Sequence, residues 1–277
     1  MKHTWNVTLL LVFLFLISNL IGLFIVKSYV GNELPLNIEK PNLEGYTSFI
    51  VLFIAVIIAT CIALILAKYK FINLWRYWYL FGVILCLTIA FGAFIGSTIA
   101  LIFAIILGIL KVFKNNFYIH NLTEVFVYGG LISFFAESFN VVTASALLIL
   151  ISIYDWVAVN KIKHMVTLAK NQSDAKIFAG LCVPYHKGKK IVGKNIKLVK
   201  KKVETAILGG GDIGFPLLFS SAVMMETNLF YGFLVSIFGA ISLLYLFYKA
   251  EKNKFYPAMP FLTVGCFVGY FVVRLFI

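Results

Sequence analysis

Nine runs of apolar residues, each about twenty residues long, dominate this 277-residue sequence. A helix of about 20 apolar residues crosses the roughly 30 Å hydrocarbon core of a bilayer. Backbone polar groups in lipid must be satisfied within the protein, so only helices and closed barrels span membranes. The runs therefore predict an all-α polytopic membrane protein with about nine transmembrane helices. They lie at residues 8–26, 48–67, 77–95, 97–113, 118–136, 140–159, 205–225, 229–248 and 257–277.

The composition supports this class of protein. Hydrophobic residues make up 62% of the chain, charged residues 13%, and the mean hydropathy is +0.98. Soluble domains are about 45–50% apolar and about 25% charged. The first run is too long for the core of a signal peptide and lacks a cleavage site after it, so we expect a retained helix. The four cysteines are scattered, which indicates neither a disulfide framework nor a zinc site.

The basic residues predict the orientation. Twelve of the 24 Lys and Arg residues lie in the polar stretch 161–202. With the N-terminus in the cytoplasm, 21 basic residues fall inside and three outside, as the positive-inside rule requires. We expect one membrane domain, residues 1–277: six helices in 1–159, a basic cytoplasmic loop at 160–204, and three helices in 205–277. Such a loop faces lipid headgroups, and no basic patch interleaved with aromatic residues indicates nucleic-acid binding.

Polar residues in and beside the apolar runs need an explanation. Lys111 and Lys114 follow the fourth run, and we expect their side chains to extend to the headgroup region. His120, Asn121 and Glu124 interrupt the fifth run, which is the weakest of the nine. Glu124 is a candidate member of a proton relay.

Two aspartates lie in consecutive long runs. Asp155 is five residues before Asn160, and Asp212 is eight residues after Glu204. The two helices run in opposite directions, so both carboxyl groups are expected roughly 7–12 Å below the cytoplasmic surface, at 1.5 Å per residue. Facing carboxyl groups at low dielectric share a proton. An aspartic protease uses such a pair, one group activating water and the other protonating the peptide, and the sequence leaves open which does which.

These residues alone also fit other functions. A single intramembrane Asp often bonds to a neighbouring helix or binds a cation, and glycine-rich stretches often mark close helix packing. A proton- or cation-coupled transporter, or a leak channel, would place the same carboxylates near the middle of a bundle. The sequence shows no inverted repeat of the transporter kind.

Three motifs occur in order along the chain. Tyr154-Asp155 lies in the sixth run, Gly209-Gly210-Gly211-Asp212 opens the seventh, and Pro257-Ala258-Met259-Pro260 opens the ninth. Together they resemble the YD, GxGD and Pro-Ala-Leu signatures of the presenilin and signal peptide peptidase family of intramembrane aspartyl proteases. The stretch "YDWVAVNKIKHM" looks most like the archaeal presenilin homologues. Met259 stands where the family has Leu, and the two side chains are similar in volume.

The resemblance implies a presenilin-like fold, Asp155 and Asp212 as the catalytic pair, and the segment from Pro257 to Pro260 as a wall of the cleft. It also implies cleavage of transmembrane helices or signal-peptide remnants, with no metal or organic cofactor, in an archaeal cell membrane. Prepilin-type peptidases also use a GxGD aspartate, but the Pro-Ala-Met-Pro segment argues against them. Whether the protein forms a homo-oligomer is left open.

The residues around the aspartates suggest how a substrate is handled. Without side chains, Gly209, Gly210 and Gly211 would let substrate backbone and water approach Asp212. Tyr154 either hydrogen-bonds near the pair or packs as an aromatic ring. A substrate helix must unwind to be cut, and its freed backbone groups then need partners. A strand around Ile191–Val203 is expected to provide them.

Overall fold

The computed structural model describes residues 4–41, 45–69, 72–114, 116–162, 178–186, 203–251 and 256–277. Within these residues the chain forms nine α-helices and one two-stranded sheet. The helices are α1 (Trp5–Tyr29), α2 (Tyr46–Lys68), α3 (Ile72–Gly92), α4 (Ser97–Phe113), α5 (Phe117–Phe135), α6 (Val141–Val157), α7 (Gly211–Glu226), α8 (Leu229–Lys249) and α9 (Met259–Phe276). Short 3₁₀ turns lie at Pro35–Asn37 and Ala136–Ser138, and a π-helical turn, Ala158–Ile162, continues α6.

Most helices match the apolar runs closely, and five are long and apolar enough to cross a membrane by length and composition. Those five spans are Trp5–Tyr29, Asn73–Gly92, Val141–Asn160, Leu229–Lys249 and Met259–Phe276. Helix α3 begins five residues before the predicted run. The other four helices are absent from this set: α2 and α4 count as shorter apolar helices, polar residues interrupt α5, and α7 has only 16 residues.

Helix α7 is the central helix of the bundle. It packs against α1, α5, α6, α8 and α9, and most of its residues are buried. Small residues let these neighbours approach closely, as is usual between membrane helices. A Cβ atom on Gly232 of α8, for example, would lie 2.8 Å from the Ser220 carbonyl oxygen. A buried hydroxyl contact, Ser236 to Ser220 at 3.0 Å, joins the same two helices.

The sheet lies between α6 and α7 in the sequence and corrects one boundary. Strand β1 (Gly180–His186) pairs antiparallel with β2 (Val203–Gly209), with Gly180 opposite Gly209. The seventh run was predicted to be helical from residue 205, but the helix begins at Gly211. The segment forms a strand because its side chains alternate: Ala206 and Leu208 are buried, while Thr205 and Ile207 are exposed.

The predicted substrate-binding strand at Ile191–Val203 falls almost entirely outside the described residues, which exclude 187–202. The described strand begins where that segment ends, at Val203. Of the basic loop predicted at 160–204, the described chain contains residues 160–162, 178–186 and 203–204, and the middle segment forms β1.

Candidate active site

Helix α6 delivers Asp155 to the interior. The helix begins with a capping box, in which Asn140 and Thr143 exchange side-chain and backbone hydrogen bonds. Asp155 is buried near the other end, where the π-helical turn follows. One turn earlier, the Ser152 hydroxyl lies 2.6 Å from the Thr263 hydroxyl of α9. The position of Asp155 is therefore tied to α9 as well as to its own helix.

The Pro-Ala-Met-Pro segment forms the start of α9 and contacts Asp155 directly. The backbone N–H of Met259 donates to Asp155 Oδ2 at 3.1 Å. The first N–H groups of a helix have no partner inside it and carry partial positive charge, so they bind a carboxylate well. Pro260 occupies the first turn, where its missing N–H costs nothing. The segment thus lies where the sequence placed it, beside one of the two aspartates.

Asp212 lies in the first turn of α7, directly after β2. A Cβ atom on Gly209 would lie only 3.2 Å from its Oδ2 atom, and the Gly209 N–H interacts with its carboxyl group. Since α6 packs against α7, the Asp155 and Asp212 carboxyl groups are close enough to interact electrostatically. Pro216 follows four residues later and, having no N–H, leaves the Asp212 carbonyl without its usual helical donor.

The glycines before Asp212 have different neighbours. A Cβ atom on Gly210 would lie 2.7 Å from the Tyr128 hydroxyl, so a side chain there would collide with α5. At Gly211 the nearest atoms belong to Phe215, at an ordinary 3.4 Å. Access of substrate and water, the reason first suggested for the glycines, stays a prediction, but packing alone requires Gly210. Tyr154 is half-buried, and its hydroxyl makes no hydrogen bond with the described residues.

One face of α5 carries polar residues that the sequence marked only as interruptions. His120 Nε2 lies 2.8 Å from the Gly180 carbonyl oxygen. The Asn121 side chain donates to the carbonyl of Cys182 at 2.7 Å and accepts from its N–H at 3.0 Å. These side chains hold the outer edge of β1. The spacing of His120, Glu124 and Tyr128, four residues apart on one helical face, was the available signal.

Glu124 is the centre of a buried polar cluster. It forms an ion pair with Lys111, and each side chain is only 1% exposed. The hydroxyl groups of Tyr79 and Tyr128 also donate to its carboxylate. The prediction that Lys111 extends to the headgroups is therefore wrong: the buried carboxylate of Glu124 on the next helix attracts it inward, and a charge inside the membrane needs such a partner. Lys114 is exposed, and its extension to the headgroups stays a prediction.

The described residues contain no group of three His, Cys, Asp or Glu that could hold a metal ion. All four cysteines are free. Asp155 and Asp212 come from separate helices that pack against each other, and their carboxyl groups interact electrostatically. Paired carboxyl groups can exchange a proton with water and a peptide without any further group.

An apolar helical bundle that brings two aspartates together defines the class of intramembrane aspartyl proteases. Residues 12–277 match the family model described as signal-peptide peptidase, presenilin aspartyl protease. The chain belongs to this family. The family match confirms the resemblance seen in the sequence and identifies the protein as an aspartic endopeptidase that works within the membrane.

Solved structures agree with the fold. One, a presenilin family intramembrane aspartate protease in space group C222, aligns with a TM-score of 0.69 and 17% identity, over 98% of this chain and 99% of that one. A second, in space group P2, aligns with a TM-score of 0.66 and 16% identity, over 96% and 97%. No match was found among curated proteins. The predicted polytopic α-helical fold is confirmed.

The ion pair between Lys111 and Glu124 predicts a large effect on stability. Lys111→Met leaves a buried carboxylate without its cation, which should destabilise the protein by about 3 kcal/mol or more. Adding Glu124→Gln should recover part of the loss, because no uncompensated charge then remains. Thermal unfolding of the detergent-purified proteins measures both effects. Lys114→Met is the matched control and should unfold like the wild type; a Lys111→Met protein equally stable would contradict the prediction.

Proposed function

We propose that Asp155 and Asp212 are the catalytic pair of this intramembrane aspartyl protease and that its substrates are transmembrane helices. The observation that carries the proposal is that α6, which holds Asp155, packs against α7, which holds Asp212, and that Met259 at the start of α9 donates to Asp155 at this junction. The family assignment favours this function over a transporter or channel built on the same carboxylates.

The reaction needs one carboxylate and one carboxylic acid. The carboxylate takes a proton from a water molecule, which attacks the carbonyl carbon of the substrate peptide. The acid protonates the carbonyl oxygen, and a proton then passes to the leaving nitrogen as the C–N bond breaks. The aspartate that took the proton from water gives it to the leaving nitrogen, and the other aspartate takes a proton from a hydroxyl group of the tetrahedral intermediate. Each aspartate thus returns to its starting protonation state, and no metal or organic cofactor takes part in this scheme.

The edge of β2 that faces away from β1 is paired with no other described strand, and it is the proposed binding site for unwound substrate backbone. On β1, the Asn121 side chain already occupies the N–H and C=O of Cys182. Cys182 is opposite Ile207, and in an antiparallel pair the backbone groups of opposite residues point the same way, both inward or both outward. The N–H and C=O of Ile207 therefore point to the outer edge of β2, where an added strand would find them.

The outward-pointing backbone groups continue along β2 toward the catalytic pair. Residues 205, 207 and 209 direct their backbone groups outward, and the Gly209 N–H interacts with the Asp212 carboxyl group. A substrate strand bound to Thr205 and Ile207 would extend directly past Asp212. Binding at this edge thus presents an extended peptide to the aspartates and satisfies the hydrogen bonds that unwinding exposes.

The distribution of charge supports an orientation with the N-terminus in the cytoplasm. Burial of Lys111 removes one residue from the cytoplasmic count and leaves the bias intact. Asp155 and Asp212 would then lie toward the cytoplasmic side, and cleavage would fall in the cytoplasmic half of substrate helices whose N-termini face outward. A location in an archaeal cell membrane follows from the resemblance and is proposed on that basis.

The catalytic pair predicts that Asp155→Asn and Asp212→Asn each abolish cleavage of a model transmembrane substrate. General acid–base groups contribute about 10²–10⁴-fold each, and the scheme needs both. Both variants should remain folded, since each removes a like-charge repulsion. Product formation by detergent-purified protein and thermal unfolding are the measurements. Glu33→Gln, an exposed carboxyl change away from the site, should cleave normally. Turnover near the wild-type rate in either aspartate variant would refute the pair.

The edge of β2 predicts a difference between two substitutions at Ile207. Ile207→Pro removes the outward N–H while sparing the bonds to β1, so KM should rise about fivefold, equivalent to one hydrogen bond of about 1 kcal/mol. Ile207→Ala shortens the same half-exposed side chain but keeps the N–H, and is the control. Steady-state cleavage kinetics measure both. Equal KM values for the two variants would argue against pairing at this edge.

Orientation predicts which cysteines a membrane-impermeant thiol reagent reaches. Cys182 is a poor reporter, because it is partly buried on β1 and burial raises the pKa of its thiol to about 11. Exposed positions at the two ends of the bundle serve better: Glu33→Cys, after α1, and Lys114→Cys, after α4, each with Cys61→Ser. In intact cells Glu33→Cys should label and Lys114→Cys should label only after lysis. The reverse pattern would invert the topology.

A further inference from the structure

The polar face of α5, formed by His120, Asn121, Glu124 and Tyr128, takes no part in the reaction scheme, yet it contacts both halves of the site. Its first turn holds β1 through His120 and Asn121. The Tyr79 hydroxyl of α3 adds to this attachment, since it lies 3.0 Å from the Phe178 carbonyl just before β1 and 3.2 Å from Glu124 Oε1. The sheet is thereby fixed to α5.

Two turns further along, the same face contacts the helix that carries Asp212. Tyr128 is 4% exposed, and its hydroxyl donates to Glu124 Oε2. A Cβ atom on Gly210 would lie 2.7 Å from the Tyr128 hydroxyl, and one on Gly214 would lie 3.9 Å from Cδ1 of the same ring. The ring therefore lies across α7 at two glycines, one two residues before Asp212 and the other two residues after it.

Glu124 joins these contacts to the buried ammonium group of Lys111. Its carboxylate is bound by Lys111 from α4, Tyr79 from α3 and Tyr128 from its own helix. The Tyr128 hydroxyl proton is committed to Glu124, so the ring cannot turn away without leaving a buried carboxylate short of a donor. Side chains locked by packing and by hydrogen bonds of this kind keep reacting groups in place.

We propose that Tyr128, held by Glu124, is a positioning residue for Asp212: it fixes the first turn of α7 by packing against Gly210 and Gly214. This inference rests on the proposed catalytic role of Asp212. The turn needs such support because Pro216 deprives the Asp212 carbonyl of its helical donor. A carboxyl group misplaced by about 1 Å can cost about 10²-fold in rate.

The test measures kcat and KM of the full-length, detergent-purified protein on a single-pass transmembrane peptide. Tyr128→Phe keeps the ring and removes the hydroxyl that ties it to Glu124; kcat should fall roughly tenfold, with KM unchanged, because the β2 edge is intact. Glu124→Gln should lower kcat in the same way, since it weakens the same anchor.

Two matched tyrosines serve as controls. Tyr29→Phe removes another buried hydroxyl, which donates to the Ile89 carbonyl at 2.8 Å and joins α1 to α3. Tyr118→Phe removes an exposed hydroxyl on α5 itself. Both should keep the wild-type kcat. The proposal is overturned if Tyr128→Phe also keeps it, or if Tyr29→Phe lowers kcat equally, since the loss would then reflect stability alone.

A double-mutant cycle tests the contact with α7. Gly210→Ala places a methyl group against the Tyr128 hydroxyl, and Tyr128→Phe removes the closest atom of that collision. The combined loss in kcat should be smaller than the product of the two single losses. Losses that simply multiply would refute positioning through Gly210.

The same assay separates this inference from the proposed function. Asp212→Asn is included in every series. If it cleaves like the wild type, the catalytic pair itself is wrong. If it is inactive while Tyr128→Phe keeps the wild-type kcat, the pair stands and only the positioning role of Tyr128 is lost.

Discussion

A carboxylate inside a bilayer must find its partners within the protein, and the three carboxylates near the site find them in different ways. Glu124 has a lysine and two phenolic hydroxyls. Asp155 has the N-terminus of α9, where Met259 donates from the backbone. Asp212 has the end of a strand, at Gly209. Of these three carboxylates, only Glu124 is paired with a cation of the described chain. The two aspartates are bound by backbone N–H groups of the described chain, an arrangement that suits their proposed catalytic role.

Helix α7 lies at the centre of the bundle, and the groups that contact its first turn come from several sides. Strand β2 runs into its first turn, α6 and α9 bring Asp155 to one side, and α5 brings Tyr128 to another. Such crowding accounts for two of the three glycines before Asp212. A Cβ atom on Gly210 would collide with Tyr128, and one on Gly209 would lie 3.2 Å from the Asp212 carboxyl group. At Gly211 a Cβ atom would make only ordinary contacts.

The length and apolar character of the runs were sufficient to locate most of the helices and to predict the class of protein, because a bilayer permits few other solutions. The three motifs were sufficient to identify Asp155, Asp212 and the start of α9 as neighbours. The failures share one cause. The inward position of the Lys111 side chain and the hydrogen bonds of Asn121 to β1 both depend on residues from other helices and strands. The pattern of neighbouring residues along the sequence does not reveal such partners. The sequence did not reveal the short strand β2, because a short apolar run that leads into a helix has the same pattern whether it forms a strand or a helix.

The two edges of the sheet differ, and this difference affects which polypeptides can bind to it. An unpaired strand edge is normally an aggregation hazard, open to any extended chain. Here α5 covers the β1 edge, and the β2 edge ends at Asp212, inside a bundle whose outer surface is adapted to lipid. For the substrate binding proposed at this edge, a soluble unfolded polypeptide would have to leave water, whereas a membrane helix is already in the bilayer. Selection of substrates would then begin with partitioning into the membrane, before any side chain is recognised.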